Sequence, residues 1–486
     1  MLHIDAFVPG DSPCLVIGDS WIHADQREYV PVINPATEET VCHAPVATAD
    51  DIQLAIATSV QGFETWRRTL PIDRSRVLRG AAERIRERAD DIARLMTLEQ
   101  GKPLAEARAE TLSTADLFEW FSEEARRSYG RIVASQVPGV ALNVMAEPIG
   151  PVAAFTAWNF PMVVPGRKIA AAIAAGCSII IKPSEETPLC VVEIARCLRD
   201  AGLPNGVLAV LYGDPAQISE TLLAAPEIRK VAITGSTRVG KILARLAADT
   251  MKPGTYELGG HSPVLVFGDS DAEGAAAQLA VAKYRNAGQV CTSPSRFFVH
   301  RDIVESFTES YLAHVDKIVV GDGLQDGVAM GPLSNERQLL HIVDLVSDAV
   351  THGAQLAAGG HRIGNTGYFY EPTVLLNVPD TARIMREEPF GPVTAIQTFD
   401  TTDDAIAKAN MLDVGLGSYV FSSSPETMIR VAGELQAGMV GVNTCLIAHH
   451  EAPFGGVNQS GYGREGGIEG LDAYQIKKLV AARAVA

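Results

Sequence analysis

Several features that mark nucleic-acid-binding or membrane proteins are missing from this sequence. Among its 486 residues, 41 lysines and arginines stand against 58 aspartates and glutamates, which gives a net charge of −17, and no basic run offsets it. We therefore expect neither nucleic acid nor an anionic membrane as a partner. The most apolar tract, at 169–181, is too short to cross a bilayer.

The sequence also lacks paired cysteines. Its seven cysteines form no CxxC pair and no cluster with histidines at metal-ligand spacing, so we expect no metal site. The N-terminal stretch has neither the basic start nor the apolar core of a secretory signal. Reduced thiols without a visible signal indicate a cytoplasmic protein. His449 and His450 are adjacent, but no further ligand lies near them in the sequence, and we expect a plain loop there.

What the sequence does contain is an alternation of short apolar runs and helical stretches. Its length predicts roughly two or three domains. From about residue 150, four apolar runs alternate with three helical stretches, which predicts an α/β fold with a doubly wound parallel sheet. A second alternating series begins at 263 and predicts a second α/β domain. Residues 72–126 are charged, with apolar positions at helical spacing, and are predicted to be helical.

A glycine turn within VAITGSTRVGK, at 231–241, is close to the phosphate-binding loop of nucleotide triphosphatases. The next residue is Ile242, where a serine or threonine should hold magnesium, so a nucleotide-binding protein of that kind is a remote alternative. A glycine turn that opens a helix still offers N–H groups and a positive dipole end to a pyrophosphate. The standard GxGxxG fingerprint is absent, so an unusual dinucleotide site is the better interpretation.

One cysteine lies in a stretch of turn-forming residues, RNAGQVCTSPSR. A lone cysteine more often fills a gap in a core as a small apolar side chain. Cys291, however, lies between a glycine turn and a run of small polar residues, as a nucleophile within reach of a substrate would. The turn alone favours the inert cysteine, so the other motifs have to decide.

Polar residues end two of the predicted strands, and a third polar residue precedes a glycine turn. In TAWNFP an amide at an apolar junction is costly without a partner, so Asn159 is a candidate donor to a ligand oxygen. In KPSEE, Lys182 and Glu185 could grip the hydroxyls of a ribose. In YELGGH, Glu257 precedes two glycines, and a carboxylate beside an exposed thiol can activate water. Solvated surface charge is the ordinary alternative for the lysine and both glutamates.

Together these residues form an ordered set that resembles the NAD(P)-dependent aldehyde dehydrogenase superfamily, and most of all its succinate-semialdehyde dehydrogenases. The resemblance covers nearly the whole chain, from INPATEE and EQGKPLAEA to PFGGVNQSGYGREGG. Its most specific motifs are ELGG and GQVC at their separation, together with EEPFGP.

The resemblance implies a fold of three parts. A Rossmann-like dinucleotide-binding domain would comprise residues 1–125 and 147–257, and a second α/β domain at 258–458 would carry the nucleophile. Residues 126–146 and 467–486 would form a small β oligomerisation arm. The family therefore predicts a homodimer or homotetramer.

The resemblance also implies the catalytic roles. The thiolate of Cys291 would attack the aldehyde carbon, while the Asn159 side chain and the backbone N–H of Cys291 stabilise the oxyanion. Hydride transfer would leave a thioester. Glu257 would then activate water to release the acid, and its presence favours hydrolysis over transfer to coenzyme A.

Cofactor positions carry over in the same way. A carboxylate at Glu185 accepts well from ribose hydroxyls but repels a 2′-phosphate, so NAD is predicted to be preferred, with NADP possible. The positions matched to the cofactor are Thr156, Trp158, Lys182, Ser184, Glu185, Gly235, Ser236, Gly240, Glu388 and Phe390.

The substrate is predicted from two arginines. Arg167 and Arg285 match those that hold the distal carboxylate in succinate-semialdehyde dehydrogenases, although each could instead belong to a structural ion pair. In LIAHHE this chain lacks the serine that the subfamily typically offers to the carboxylate. The prediction is therefore a semialdehyde with a distal carboxylate, and the alternative is a bulkier or neutral aldehyde.

Two further classes remain open from the residues. A cysteine hydrolase would need a histidine paired with Cys291, and the candidates His261 and His449 lack the usual context. A non-catalytic binding protein would not need the thiol, the glutamate and the asparagine together.

Overall fold

The computed structural model describes residues 12–483. Residues 1–11 of the predicted dinucleotide-binding domain and 484–486 of the predicted oligomerisation arm lie outside the described residues. Within 12–483, no helix is both long enough and apolar enough to span a bilayer.

The strands are numbered in chain order. They are β1 Leu15–Ile17, β2 Ser20–Ile22, β3 Tyr29–Ile33, β4 Thr40–Pro45, β5 Arg131–Val133, β6 Val140–Pro148, β7 Val152–Phe155, β8 Ile179–Lys182, β9 Leu208–Val210, β10 Lys230–Thr234, β11 Gly254–Glu257, β12 Pro263–Val266, β13 Arg296–His300, β14 Gln355–Ala358, β15 Thr373–Leu376, β16 Val393–Phe399, β17 Val414–Gly415, β18 Gly417–Phe421, β19 Met439–Val442, β20 Val457–Asn458, β21 Gly461–Tyr462 and β22 Gln475–Arg483.

The helices are numbered likewise. They are α1 Ala49–Trp66, α2 Pro71–Glu87, α3 Ala89–Gln100, α4 Leu104–Glu124, α5 Val163–Ala175, α6 Leu189–Asp200, α7 Pro215–Ala224, α8 Thr237–Ala248, α9 Ala272–Tyr284, α10 Val304–Val315, α11 Glu336–Thr351, α12 Thr402–Ala409, α13 Pro425–Glu434 and α14 Gly467–Asp472.

The first sheet has eight strands in the order β2-β1-β9-β8-β7-β10-β11-β21. Its central strands β9, β8, β7, β10 and β11 pair in parallel. β7 and β8 are buried at every position, which is why their sequences are continuous apolar runs rather than alternating ones. After β7 the chain adds β8 and then β9 on one side of β7, and it then returns to add β10 on the opposite side of β7. Ligands of such sheets bind at this switch point, beyond the carboxyl ends of the strands.

The helices predicted in 72–126 form three elements rather than one. α2 ends and α3 begins at Arg88, whose φ of −99° and ψ of 10° interrupt the helix. The Arg88 guanidinium lies 2.6 Å from Asp200 and 3.5 Å from Glu193, both on α6. The break is thus stabilised by charges on a neighbouring helix, which local helical periodicity does not reveal.

The second sheet has seven strands in the order β14-β15-β16-β13-β12-β18-β19. Neighbouring strands pair in parallel throughout this sheet except at one edge, where β14 pairs antiparallel with β15. Each sheet has its own buried apolar core. The predicted α/β class with two α/β sheets is therefore confirmed.

A three-stranded antiparallel sheet, β22-β6-β5, completes the fold. β22 pairs with β6 along its whole length, from Gln475 opposite Pro148 to Arg483 opposite Val140. This sheet corresponds to the small β arm of the predicted fold class. The exact domain boundaries given above stay a prediction.

Candidate active site

Cys291 follows a tight turn at Arg285–Gly288, between α9 and β13. Three successive residues of this turn have a left-handed backbone, with φ of 50° at Asn286, 52° at Ala287 and 72° at Gly288. This conformation costs about 1–2 kcal/mol at a residue with a Cβ. A Cβ on Gly288 would lie 2.2 Å from the carbonyl oxygen of Gly391. The cysteine is thus presented by a strained segment, and such strain is concentrated at functional sites.

Asn159 comes from the loop that follows β7 and contacts the cysteine segment. Its Nδ2 donates to the carbonyl oxygen of Gln289 over 3.1 Å, and in return Asn286 Nδ2 donates to the Asn159 carbonyl oxygen over 2.9 Å. An amide has two N–H donors. Because one is used by Gln289, the other remains for a ligand oxygen.

Two glycines let the segment after β11 approach both neighbouring loops. A Cβ on Gly259 would lie 2.7 Å from Glu388 Oε2, and one on Gly260 would lie 3.1 Å from the Cys291 carbonyl oxygen. Glu257 is the buried last residue of β11, and its Oε1 has no hydrogen-bond partner within the described chain. The ELGG turn thereby places a carboxyl beside the thiol.

The thiol and the carboxyl influence each other's ionisation. Burial raises the pKa of Cys291 well above its usual value, the carboxyls of Glu257 and Glu388 raise it further, and Arg167 opposes them. Burial and then Glu465 raise the pKa of Glu257. The thiol therefore favours its neutral form and must lose a proton before it can attack. The Glu257 carboxylate is a stronger base than an exposed glutamate.

Glu388 lies at the opposite side of the ELGG turn and meets a lysine that sequence reasoning missed. Burial raises the pKa of Glu388 to about 8. Lys283 is fully buried, with its Nζ 3.4 Å from Ser293 Oγ, and burial lowers its pKa to about 7 against the pull of Glu388. In the sequence Lys283 reads only as one charge in a mostly apolar helix.

An ion pair that the sequence analysis did not identify acts on Glu257. Lys168 Nζ is 2.6 Å from Glu465 Oε1 and 2.6 Å from Thr234 Oγ1, and both charged side chains are buried. Lys168 lowers the pKa of Glu257 and Glu465 raises it. The signal available in the sequence was a lysine inside the apolar helix α5, next to Arg167.

The predicted ribose residues form a separate group after β8. Lys182 Nζ is ion-paired with Glu185 Oε1, and Gly213 N–H donates to the same oxygen over 3.3 Å. The Ser184 hydroxyl donates to Glu186. The side chain of Glu185 is therefore held in place by a cation and a backbone N–H.

The predicted pyrophosphate residues do not all have the same position. Ser236 is the N-cap of α8, where its Oγ accepts from Val239 N–H. A Cβ on Gly235 would meet only Ile233, at 3.9 Å, whereas one on Gly240 would lie 2.4 Å from Leu258. Gly240 therefore allows α8 to pack on the ELGG segment, and the open space lies at Gly235.

Three further predicted cofactor residues lie at the loops that follow β7 and precede β16. The rings of Trp158 and Phe390 meet edge to face with centroids 5.6 Å apart. Phe390 has a left-handed φ of 48°, and Gln338 Nε2 donates to its carbonyl oxygen and to that of Pro389, each over 2.9 Å. Thr156 Oγ1 is buried with no partner inside 12–483.

Both predicted substrate arginines lie over aromatic rings. The Arg167 guanidinium is 4.1 Å from the ring centre of Phe454, and the Arg285 guanidinium is 5.4 Å from that of Phe160. Arg167 is nearly buried and Arg285 is exposed. Neither guanidinium forms a salt bridge with a carboxylate of the described chain, although the charge of Arg285 opposes the rise that burial causes in the pKa of the nearby Glu106.

Neither of the two candidate histidines, His261 and His449, is hydrogen-bonded to the Cys291 thiol. His261 is buried, with Nδ1 2.7 Å from Ser295 Oγ and Nε2 2.8 Å from the Ile384 carbonyl oxygen. His449 is exposed on the expected loop, and His450 Nε2 lies 3.0 Å from Ser113 Oγ. Across residues 12–483 no group of three or more His, Cys, Asp or Glu side chains is arranged to hold a metal ion.

Known proteins identify the family. The profile of the aldehyde dehydrogenase family matches residues 21–480. The chain belongs to the aldehyde dehydrogenase family. The predicted resemblance and the predicted activity, oxidation of an aldehyde by an oxidoreductase, are thereby confirmed.

Individual relatives match over nearly their full length. A 4-(hydroxymethyl)benzenesulfonate dehydrogenase of Comamonas testosteroni is 45% identical over 468 residues, covering 96% of this chain and 98% of that protein. A mitochondrial succinate-semialdehyde dehydrogenase of Arabidopsis thaliana is 41% identical, covering 96% and 88%. The crystal structure of a succinate-semialdehyde dehydrogenase from Burkholderia pseudomallei aligns with a TM-score of 0.96 at 38% identity, covering 98% and 99%.

The raised pKa of this aldehyde dehydrogenase's thiol gives a prediction for its reactivity. Glu257→Gln removes the carboxylate that disfavours the Cys291 thiolate, so the pKa of the thiol should fall. We expect the pH midpoint of iodoacetamide alkylation to shift downward by about one unit.

The rate of alkylation is measured across the alkaline range with the cofactor absent, and label that also appears in Cys291→Ala is subtracted. An unchanged or raised midpoint in Glu257→Gln would mean that the carboxyl does not act on the thiol.

Proposed function

We propose that Cys291 is the nucleophile of the aldehyde oxidation, that Asn159 is a donor to the oxyanion, and that Glu257 is the base. The observation that carries this proposal is the buried Cys291–Glu257 pair, in which each group alters the pKa of the other. A raised pKa makes the Glu257 carboxylate a stronger base than an exposed glutamate, which suits it to take a proton from a water beside the thioester on Cys291.

Asn159 then acts on the charge that develops at the substrate oxygen. Its unused Nδ2 N–H, on a side chain fixed by the Gln289 carbonyl, is a preorganised donor. Removing one such donor typically costs about 3–4 kcal/mol of transition-state stabilisation. After oxidation Cys291 holds the acyl group as a thioester, and Glu257 takes a proton from the water that releases the carboxylic acid.

The residues fit a nicotinamide dinucleotide as cofactor. Thr156 Oγ1 is a buried polar atom without a hydrogen-bond partner among residues 12–483. The open turn at Gly235 precedes the N-terminus of α8, which favours a phosphate anion. Lys182 and Glu185 would hold the adenosine ribose and Glu388 the nicotinamide ribose, with Phe390 near the same part of the cofactor. When bound there, a nicotinamide dinucleotide would supply the acceptor for the hydride that the aldehyde loses.

We propose NAD as the preferred cofactor because the Glu185 carboxylate would lie against a 2′-phosphate. Glu185→Ser should narrow or reverse the preference in kcat/KM for NAD over NADP by roughly tenfold or more, since like charges in contact cost several kcal/mol.

Glu186→Ser is the matched control, because the neighbouring carboxylate is turned towards Asn335 and Arg337, at 3.3 and 3.5 Å. Equal efficiency with both cofactors in the unmutated enzyme would refute the assignment.

For the substrate we propose an aldehyde with a distal anion, first of all a semialdehyde such as succinate or glutarate semialdehyde. The Arg167 guanidinium is buried without a salt-bridge partner in the described chain, which is costly unless an anion visits it. Arg285 is exposed and offers a second guanidinium to the same anion. A distal carboxylate would accept charge-assisted hydrogen bonds from them, whereas a neutral aldehyde would leave them unpaired.

A second candidate is an aromatic aldehyde that carries a sulfonate. The relative from Comamonas testosteroni is named for 4-(hydroxymethyl)benzenesulfonate. This chain also has His449 and His450 in LIAHHE instead of the serine typical of succinate-semialdehyde dehydrogenases. Rings at Phe160 and Phe454 beneath the two guanidiniums would suit an aryl group between them.

The substrate proposal predicts a preference in reduction of NAD at 340 nm. Succinate semialdehyde should exceed butanal in kcat/KM, and 4-formylbenzenesulfonate should exceed benzaldehyde. Arg285→Ala should raise KM for the anionic aldehydes about 10- to 100-fold, because a charge-assisted hydrogen bond contributes about 1.5–3 kcal/mol.

Arg94→Ala, an exposed arginine on α3, is the control and should leave both preferences intact. The kcat/KM ratio of each anionic aldehyde to its neutral counterpart is then compared. The larger ratio identifies whether the semialdehyde or the aryl sulfonate is the better substrate. Neutral aldehydes turned over as efficiently as their anionic counterparts would make both arginines structural.

We propose that the enzyme is a homo-oligomer assembled through the β22-β6-β5 sheet. β22 is exposed along almost its whole length although it contains Ile476, Leu479 and Val480, and Ile132 of β5 is 84% exposed. A long, exposed, partly apolar edge strand in a soluble protein is normally covered by another chain.

Leu479→Asp combined with Ile132→Asp should therefore dissociate the protein to monomers in light scattering at micromolar concentration. Ile429→Asp is the control, since Ile429 is 76% exposed on α13, outside that sheet. A monomer before any substitution would contradict the proposal.

A further inference from the structure

We propose that the buried ion pair of Lys102 and Glu110 is a positioning device that sets the rate of acylation through Asn159. Neither residue touches substrate. Both act on the loop that carries the amide, and the proposal therefore rests on the proposed role of Asn159 as oxyanion donor.

Lys102 directs its ammonium group at that loop. Its Nζ lies 2.5 Å from Glu110 Oε2, donates to the Asn159 carbonyl oxygen over 2.9 Å, and faces the ring of Phe160 at 4.1 Å. The Lys102 side chain is 1% exposed and that of Glu110 is 4% exposed. With a carboxylate, a carbonyl and an aromatic face as neighbours, the ammonium has no water-facing alternative.

Glu110 holds the other end of the same loop. Its Oε1 accepts from Met162 N–H over 2.9 Å and from Val163 N–H over 3.2 Å. These N–H groups open α5 and have no partner within the helix, so a carboxylate there satisfies them and complements the helix dipole. One ion pair thus fixes a carbonyl and two N–H groups on either side of Phe160.

The same helix, α4, also holds the cysteine turn. Glu106 Oε2 accepts from Asn286 N–H over 2.9 Å, and Asn286 Nδ2 donates to the Asn159 carbonyl oxygen. The Asn159 carbonyl therefore receives two donors, Lys102 from the loop before α4 and Asn286 from the turn before Cys291. The distance between the oxyanion amide and the thiol is set by these shared contacts.

Stability alone does not account for the pair. A buried ion pair often contributes nothing net compared with apolar side chains of the same volume, because desolvation offsets the attraction. What the ion pair does provide is a fixed direction for the peptide at Asn159, and hence for its side chain. Misplacement of a catalytic group by about 1 Å can lower a rate about 100-fold.

The test is a double-mutant cycle with Asn159→Ala. The neutral, similarly sized variant Lys102→Met/Glu110→Gln is made in the unmutated and in the Asn159→Ala enzyme. Single-turnover reduction of NAD at saturating NAD and aldehyde measures acylation. We expect the charge-removing pair to slow acylation about 10- to 100-fold in the first background and less than about threefold in the second.

Two further readouts and a control separate positioning from general damage. The KM for NAD and the rate of Cys291 alkylation should stay within about twofold, which marks a loss in the rate rather than in binding. Glu99→Gln should leave acylation unchanged, since Glu99 is another buried carboxylate that accepts from the first N–H groups of a helix, Leu189 and Cys190 of α6.

Equal slowing in both backgrounds would overturn the proposal, because the pair would then act without Asn159. If Asn159→Ala alone leaves acylation unchanged, the proposed role of Asn159 fails instead. Should the paired variant not fold, Glu110→Gln by itself replaces it. The amide oxygen of the new glutamine still accepts from Met162 and Val163. Slower acylation only in the enzyme that retains Asn159 supports the proposal, and unchanged acylation in that enzyme overturns it.

Discussion

The site depends on backbone segments from two sheets approaching more closely than side chains allow. Gly259 admits the Glu388 carboxyl, Gly260 admits the carbonyl of Cys291, and Gly288 admits the carbonyl of Gly391. A Cβ at any of these positions would force one loop away from another. Because of these contacts, residues at the carboxyl ends of β7 and β11 meet a cysteine that precedes β13 of the other sheet.

The close approach of the two sheets makes ionisation at the site unfavourable, since several ionisable groups are buried there next to one another. Burial raises the pKa of Cys291, Glu257 and Glu388 together, so none of them ionises easily while the others are charged. The two cations behind the site, Lys168 and Lys283, limit this effect. The chemistry thus starts from a thiol that is protonated at rest and from a Glu257 carboxylate that takes up a proton more readily than an exposed glutamate does.

Much of this could be predicted from the sequence, for physical reasons that differ between elements. β7, β8 and β10 were predictable because strands buried on both faces are continuous apolar runs. β18 and β19 were not assigned, although they complete the second sheet, and β21 joins the first sheet from far along the chain. Such pairings depend on tertiary contacts that no local pattern encodes.

The candidate site divides in the same way. Cys291, Glu257 and Asn159 stand in short motifs with turn glycines, so their residue types and spacing already suggested chemistry. The pairs Lys102–Glu110 and Lys168–Glu465 join residues 8 and 297 positions apart. In the sequence Lys102, Glu110 and Glu465 are interpreted as solvated charges, and only Lys168 stands out, as a lysine inside an apolar helix. The burial and pairing of these four side chains depend on the packing of α4, α5 and the C-terminal loops.

The central claim is that Cys291 carries the acyl group until Glu257 activates water. Intact-protein mass spectrometry of Glu257→Gln, quenched in acid after mixing with NAD and succinate semialdehyde, tests this most directly. We predict an adduct with the mass of the succinyl group, mapped by peptide digestion to Cys291, which builds up in Glu257→Gln and decays quickly in the unmutated enzyme. NADH formation without any adduct on Cys291, or with an adduct on another residue, would contradict the mechanism.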